Sequence, residues 1–362
     1  MNLKATALSG FAVLLHAMPA IPAMAEEPSW ADRIIVKGDF RLRYERIDEE
    51  FEANRDRMRF RGRVGLTADV KDNVKFVLQF ATGGDNPVST NQTFDDGFSR
   101  KDIGLDLAYV DWTVNDVLSV SAGKMKNPLF VAGGAPLIWD GDLNPEGFAA
   151  KFASGVFFGT VAGFSVEERS ATDDSLLYAL QAGIELPVGD SGNLTAGVGY
   201  FGYTDTVGNT PFYNGSAKGN SVDVNGNYLF DYRNTELFAQ FDTRLSGWAF
   251  RIFAQYTQNH EVSNQDQAYT LGAKLGSAKG QGDMEFAVMY QEIEADAVIG
   301  TFNDSDFGGG GTDADGFMLK AKYGLSKNVF LGGTFFVNDI DRFQGTEHDY
   351  NRLQIDLEFK FD

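Results

Sequence analysis

The sequence predicts an all-β fold: a single up-and-down antiparallel transmembrane β-barrel of about sixteen strands. Four observations predict it. Apolar and polar residues alternate with period two through most of the chain from residue 33 to the C-terminus, the pattern of a strand with two unlike faces. Short and long turn segments alternate along much of the chain, as hairpins do when one rim of a closed sheet has tight turns and the other has loops. The apolar parity of the clean strands carries no charge. Aromatics recur near strand ends, at Tyr44, Trp112, Tyr200, Trp248, Tyr256, Tyr290 and Tyr323, which suits the interfacial girdles of a lipid-facing wall.

Taken in order, the strands are expected at 33–46, 55–70, 73–83, 103–114, 117–126, 146–153, 156–167, 175–187, 193–204, 235–244, 248–260, 267–276, 283–293, 314–324, 329–338 and 350–361. In the first, Phe40, Leu42 and Tyr44 alternate with Asp39, Arg41, Arg43 and Glu45. In the third, Val74, Phe76, Leu78 and Phe80 alternate with Lys75, Val77 and Gln79. The last is the cleanest, with Leu353, Ile355, Leu357, Phe359 and Phe361 against Arg352, Gln354, Asp356, Glu358 and Lys360. In 103–114, 146–153 and 156–167 both parities carry apolar residues, so the period is blurred there. Tight turns are marked by Lys71-Asp72-Asn73, Ala153-Ser154-Gly155, Leu245-Ser246-Gly247 and Ser326-Lys327-Asn328; the long connections are 47–54, 84–102, 127–146, 205–234 and 294–313. Most strands are close to the roughly 9–11 residues that a tilted membrane strand needs. A soluble sandwich would also alternate, but it would not need so many long strands. No domain boundary interrupts the pattern.

The chain opens with Lys4, a mostly apolar stretch from Ala7 to Leu15, and Ala23-Met24-Ala25. This reads as a secretory signal peptide over residues 1–25, cut after Ala25, leaving one barrel domain over 26–362. There is no cysteine, so no disulfide is expected. The net charge is −20; loss of Lys4, the one charge in the leader, makes it −21. That acidic excess excludes nucleic acid as an expected partner, because phosphate binding wants a basic face. Thirteen per cent aromatic residues and 41 glycines separate the chain from disordered acidic sequences, which are poor in aromatics.

The stretch 55–70 carries an arginine at every second position: Arg55, Arg57, Arg59, Arg61 and Arg63. The other parity begins with Asp56 and then runs Met58, Phe60, Gly62, Val64, Leu66, Ala68 and Val70 without charge. If that parity faces lipid, the arginines face inward. Same-face residues lie about 6.7 Å apart along a strand, so Arg57 to Arg63 make a column about 20 Å tall. Arg41 and Arg43 on one neighbouring strand and Lys75 on the other extend it. Such a basic ladder is tolerable in a wet bore and intolerable in a packed core. The third long loop and its flanks, residues 124–152, are punctuated by glycine and proline and carry Asp140, Asp142 and Glu146.

The leader, the arginine-rich second strand, Gly123-Lys124-Met125-Lys126-Asn127-Pro128 at the opening of the loop, Trp139-Asp140-Gly141-Asp142-Leu143-Asn144-Pro145-Glu146-Gly147, and the phenylalanine-bearing last strand together resemble the Gram-negative outer-membrane porins. Among these the chain is most similar to the group labelled "putative porin". The resemblance implies a sixteen-stranded barrel in the bacterial outer membrane, a homotrimer in contact with lipid and lipopolysaccharide, whose third long loop folds into the lumen as a constriction. It implies that Asp140, Asp142 and Glu146 face the basic wall of Arg41, Arg43, Arg57, Arg59, Arg61 and Arg63. Porins of this type usually end on an aromatic residue, whereas this chain ends Phe361-Asp362.

The expected function is passive diffusion of small hydrophilic solutes or ions, with no enzymatic activity, metal or cofactor. An anion- or phosphate-preferring or substrate-specific channel is the alternative. An outer-membrane hydrolase and a structural envelope adhesin are the rivals from other classes. After the leader only His260 and His348 remain. Neither has a local serine and carboxylate that would suggest a triad, and two histidines without cysteine make a poor zinc set. The segment 303–317 holds Asp304, Asp306, Asp313 and Asp315 but lacks the spacing and closing glutamate of a calcium loop. It reads as a mobile acidic loop, with divalent-cation bridging to lipopolysaccharide as a further idea.

Overall fold

The computed structural model describes residues 33–361 apart from positions 214 and 344; the leader and Asp362 lie outside the described residues. Sixteen long strands account for the wall: β1 (Ile34–Glu49), β2 (Arg55–Lys71), β3 (Val74–Thr82), β4 (Ile103–Thr113), β5 (Leu118–Lys124), β6 (Glu146–Ser154), β7 (Phe157–Glu167), β8 (Ser175–Val188), β9 (Gly192–Tyr203), β10 (Arg233–Leu245), β11 (Trp248–Asn259), β12 (Gln267–Gly276), β13 (Met284–Ile293), β14 (Ala314–Ser326), β15 (Val329–Ile340) and β16 (His348–Phe361). Each pairs antiparallel with its sequence neighbours, and β1 closes on β16 from Gly38↔Phe361 to Glu49↔Tyr350. All sixteen expected strands are present, including the three with blurred periods. Cross-strand hydrogen bonding holds those three, because β4, β6 and β7 each pair on both sides whatever their side-chain pattern.

The connections sort onto two rims. One carries 72–73, 114–117, 155–156, 189–191, 246–247, 277–283 and 327–328; the other carries 50–54, 83–102, 125–145, 168–174, 204–232, 260–266, 294–313 and 341–347. Because β3 stops at Thr82 while β2 runs on to Arg55, part of the β2 edge is left open. Gln92–Thr93 fills it by pairing with Phe60 and Arg59. Phe94 follows, its N–H donating to the Met58 carbonyl at 2.9 Å and its ring 5.7 Å from Phe60.

Side-chain parity divides the faces. On β12 Leu271 is 62 % exposed and the adjacent Thr270 is 1 % exposed. On β11 Ile252 is exposed and Phe253 is buried; on β10 the same holds for Leu237 and Phe238. The outer face is therefore a continuous apolar surface, and the polar residues point inward. Among the described residues closure gives every wall strand a partner on both sides, as a membrane demands of a sheet, since hydrocarbon offers no partner to an unpaired N–H or C=O. The outer face can be tested at Val288, which sits mid-strand between Ala273 and Leu319. We expect Val288→Arg to destabilise the barrel by about 2–4 kcal/mol in urea titrations from lipid vesicles. Val288→Leu should leave the midpoint nearly unchanged.

Candidate functional site

The arginine column stands on β2, flanked by β1 and then β16. Register places Arg63 beside Asp39, Arg61 beside Arg41, Arg59 beside Arg43 and Arg57 beside Glu45. On the far side of β1, Arg41 lies beside Glu358, Arg43 beside Asp356 and Glu45 beside Gln354. Alternation puts all of these on the inner face, so carboxylates stand between the guanidiniums. Asp39 accepts from Arg61 Nη2 at 2.9 Å and Arg63 Nε at 2.8 Å. Asp356 binds Arg43 through both oxygens, at 2.7 and 2.8 Å. Glu45, fully buried, accepts from Arg57, from Arg352 and, at 3.2 Å, from Gln354. The ladder is thus not a bare stack of like charges. Two-oxygen and shared contacts of this kind are the strong form of ion pair, and removing one partner strands a buried charge. Lys75 stands apart, near the tight-turn rim, between Asp69 and Asp111.

Two loop acids join the wall. Asp142 lies 3.7 Å from Arg61 and 3.6 Å from Arg63. Asp306 lies 3.1 Å from Arg43 and 2.7 Å from Arg352. Together, seven guanidiniums (Arg41, Arg43, Arg57, Arg59, Arg61, Arg63 and Arg352) meet five carboxylates (Asp39, Glu45, Asp142, Asp306 and Asp356). The wall patch keeps a net charge of +2.

The other two acids of the 124–152 stretch do something else. Glu146 is the first residue of β6 and pairs with Lys124 at 2.8 Å, away from the arginines. Asp140 is buried and makes no ion pair with the ladder among the described residues; its oxygens accept from the Asp142 N–H at 2.7 Å and the Ser305 N–H at 2.8 Å. Of the three, Asp142 alone reaches the wall, which corrects the expectation that all three face it. The 303–317 reading is corrected too. Asp304 and Asp306 are held against the wall and the neighbouring loop, not left in a solvated surface loop.

Segment 125–145 is bonded to inward-pointing side chains of three strands. Phe130 exchanges two hydrogen bonds with Gln181 of β8, at 2.7 and 2.9 Å. The Gly133 N–H donates to Gln240 of β10 at 2.8 Å, and Gln255 of β11 donates to the Ala135 carbonyl at 2.9 Å. Gly133 has φ +64°, and a Cβ there would meet the Phe253 ring at 2.4 Å, so only glycine fits this close approach. The same segment is tied to 294–313: Asn303 donates to the Leu137 carbonyl at 2.7 Å and the Asp140 N–H to the Phe302 carbonyl at 2.8 Å. Ser305 Oγ donates to the Val88 carbonyl at 2.9 Å, bringing in 83–102. Asn91 of that third segment accepts from Arg41 at 2.7 Å.

Between these segments and the wall lie two cavities on the long-loop side. One, about 1080 Å³, is lined by Asp85, Asp102, Asp106, Asp142, Glu146 and Glu167, with Lys124 and Arg169. The other, about 840 Å³, is lined by Arg55, Arg57, Arg59, Lys218 and Arg352, with Glu49 and Glu52. Asn86 borders both. The acidic and the basic lining therefore adjoin along the 83–102 segment.

Burial, with Asp306 beside it, pushes Asp304 up to about 7. Burial, with Asp304 and Asp142 beside it, holds Asp140 well above the usual carboxylate range. For Asp306 burial also acts upward, but the Arg352 and Arg43 guanidiniums outweigh it and hold it far below that range. Asp304 therefore binds a proton more tightly when docked than when free at its ordinary 3.8, so docking weakens as pH rises from about 4 to about 7 and is level above. Amide hydrogen exchange at 303–306, corrected for intrinsic rates, should accelerate across that window. Asp304→Asn should reduce the change, and Asp304→Asn with Asp140→Asn should flatten it, with protection at pH 8 close to that at pH 5.

The comparisons agree with this architecture. The family model described as "Putative porin" matches residues 48–234 and 221–361. Among solved structures, the chain is similar to OprB of Pseudomonas putida, at 14% identity and TM-score 0.62, over 91% of this chain and 94% of that one. It is also similar to a multiple mutant of the Rh. blastica porin, at 10% identity and TM-score 0.53, over 91% and 100%. At these identities the likeness is one of fold. No curated protein sequence matches the chain. A closed sixteen-stranded wall with an apolar outside and charged inside, matched by one family model over most of its length, places this chain in the family described as "Putative porin", as a non-enzymatic channel of the outer membrane.

Proposed function

We propose that the channel passes small hydrophilic solutes by diffusion, that segment 125–145 folds into the lumen as its constriction, and that a transverse field across the bore orients what passes. One observation carries this reading: an acidic cavity lining and a basic one adjoin along a single segment. Opposed charges across water align dipolar solutes and penalise apolar ones, which gain nothing from the field and must displace oriented water. Contacts of 125–145 with Gln181, Gln240 and Gln255 support its inward course.

The +2 balance of the wall patch favours a second, finer reading, a preference for anions over cations. Charges on the wall act at short range, while the acidic total of the chain is spread over loops beyond the screening length of about 8 Å. The porin likeness supports the remaining features of this reading: a leader cleaved after Ala25, a single domain over 26–362, a homotrimer, and loops in contact with lipopolysaccharide.

Planar-bilayer reversal potentials in a potassium chloride gradient test the field and the preference together. Wild type should favour chloride, and Arg59→Glu with Arg61→Glu should carry the permeability ratio across unity toward potassium. A reversal potential that does not move would remove these arginines from selectivity.

A further inference from the structure

A third cavity, about 250 Å³, lies between 133–136, Asp304 and Asp306 of segment 294–313, and the inner faces of β11 to β16 and β1. Five cations and four carboxylates, Asp304, Asp306, Asp356 and Glu358, line it, and its charges are not all matched. Arg43 is held by Asp356 and Asp306, Lys322 by Glu358, and Arg41 lies 3.9 Å from Asp356 while donating to Asn91. Lys274 and Lys320 also line it, and neither has a carboxylate within 4.0 Å among the described residues. Register explains their placement. Lys274 stands beside Ala287, and Ala287 beside Lys320. The two lysines are therefore two strand spacings apart, about 9.5 Å between backbones, with the smallest of side chains between them. On that row Lys320 is followed by Thr334, and Lys274 is preceded by Arg251, whose guanidinium Asp242 holds at 2.6 Å. Glu285, one same-face step from Ala287, approaches neither lysine within 4.0 Å.

The notch has a second chemistry. Pro136, Phe253, Met289 and Met318 line the same cavity. Lys274 Nζ sits 6.0 Å from the Phe253 ring centroid, so apolar surface directly adjoins the ammonium groups. We propose that this notch is a binding station for a small organic anion: a carboxylate bridged by Lys274 and Lys320 with a short apolar tail against the methionines and Phe253. At about 30 Å³ per water the cavity holds some eight waters, the bulk of a short-chain carboxylate. A bare inorganic anion would satisfy the lysines and leave the apolar lining wet. The site rests on the channel reading above, of which it names a solute class.

The test is single-channel recording of the full-length, reconstituted protein in potassium chloride, with sodium butyrate added on the tight-turn side. Butyrate should reduce the chloride current saturably. Lys274→Gln with Lys320→Gln should raise the half-blocking concentration by about tenfold or more, the worth of a lost charge-assisted hydrogen bond. Ala287→Leu fills the notch without touching either charge and should weaken the block likewise, which keeps the test decisive if the double variant fails to assemble. Wild-type current that butyrate does not block, or a block that survives both variants, overturns the station. Equal block by inorganic phosphate overturns the organic-anion assignment. A protein that forms no pores at all overturns the channel reading itself, an outcome distinct from pores that conduct and ignore butyrate.

Discussion

A closed sheet with an apolar outer face leaves its charges one place to go, and most of this structure follows from that constraint. Among the described residues every strand of the wall is bonded on both sides, as contact with hydrocarbon requires. Once Met58, Phe60 and Val64 are turned outward, the arginines between them must face in. There they need counter-charges at their own height. β1 and β16 supply Asp39, Glu45 and Asp356 through the same alternation that turned the arginines inward. Guanidinium and carboxylate are interleaved, which makes a dense cationic column compatible with a stable wall.

The column also organises the loops. Asn91, Asp142 and Asp306 come from three long connections, and each reaches an arginine of the same patch. Segments 83–102, 125–145 and 294–313 then bond to one another through Val88, Asp140, Asn303 and Ser305. Gly133 is the steric counterpart of that electrostatic pull, because it lets 125–145 lie flat on the Phe253 ring. What stays unmatched after these pairings is the net positive patch and the lysine notch, on which the proposed selectivity rests.

Most of the barrel was legible in the sequence because period two is imposed on every strand alike. Even β4, β6 and β7, blurred by apolar residues on both parities, could be placed from the turns around them. Part of the site was legible by the same rule: Asp39 and Glu45 share the parity of Arg41 and Arg43, and Asp356 that of Arg352, so the interleaved carboxylates were in view along single strands. Their pairing was not, because Arg43 and Asp356 are 313 positions apart and only barrel closure makes them neighbours. The loop contributions were hidden more deeply. Nothing in 303–317 separates an aspartate turned to the wall from one turned to water. The likeness of 124–152 to porin loops pointed to three acids where the chain uses Asp142 and gives Asp140 and Glu146 other partners. Loop conformation depends on contacts with several strands at once, and no local period records those.

Because the chain has no cysteine, single cysteines placed along β14 probe the central constraint directly. Leu319→Cys, Lys320→Cys, Ala321→Cys and Lys322→Cys in membranes would be treated with a charged, membrane-impermeant thiol reagent. Positions 320 and 322 should react and lower the conductance, while 319 and 321 stay inert. Equal reaction at all four positions, or reaction confined to 319 and 321, would contradict an aqueous interior behind a lipid-facing wall.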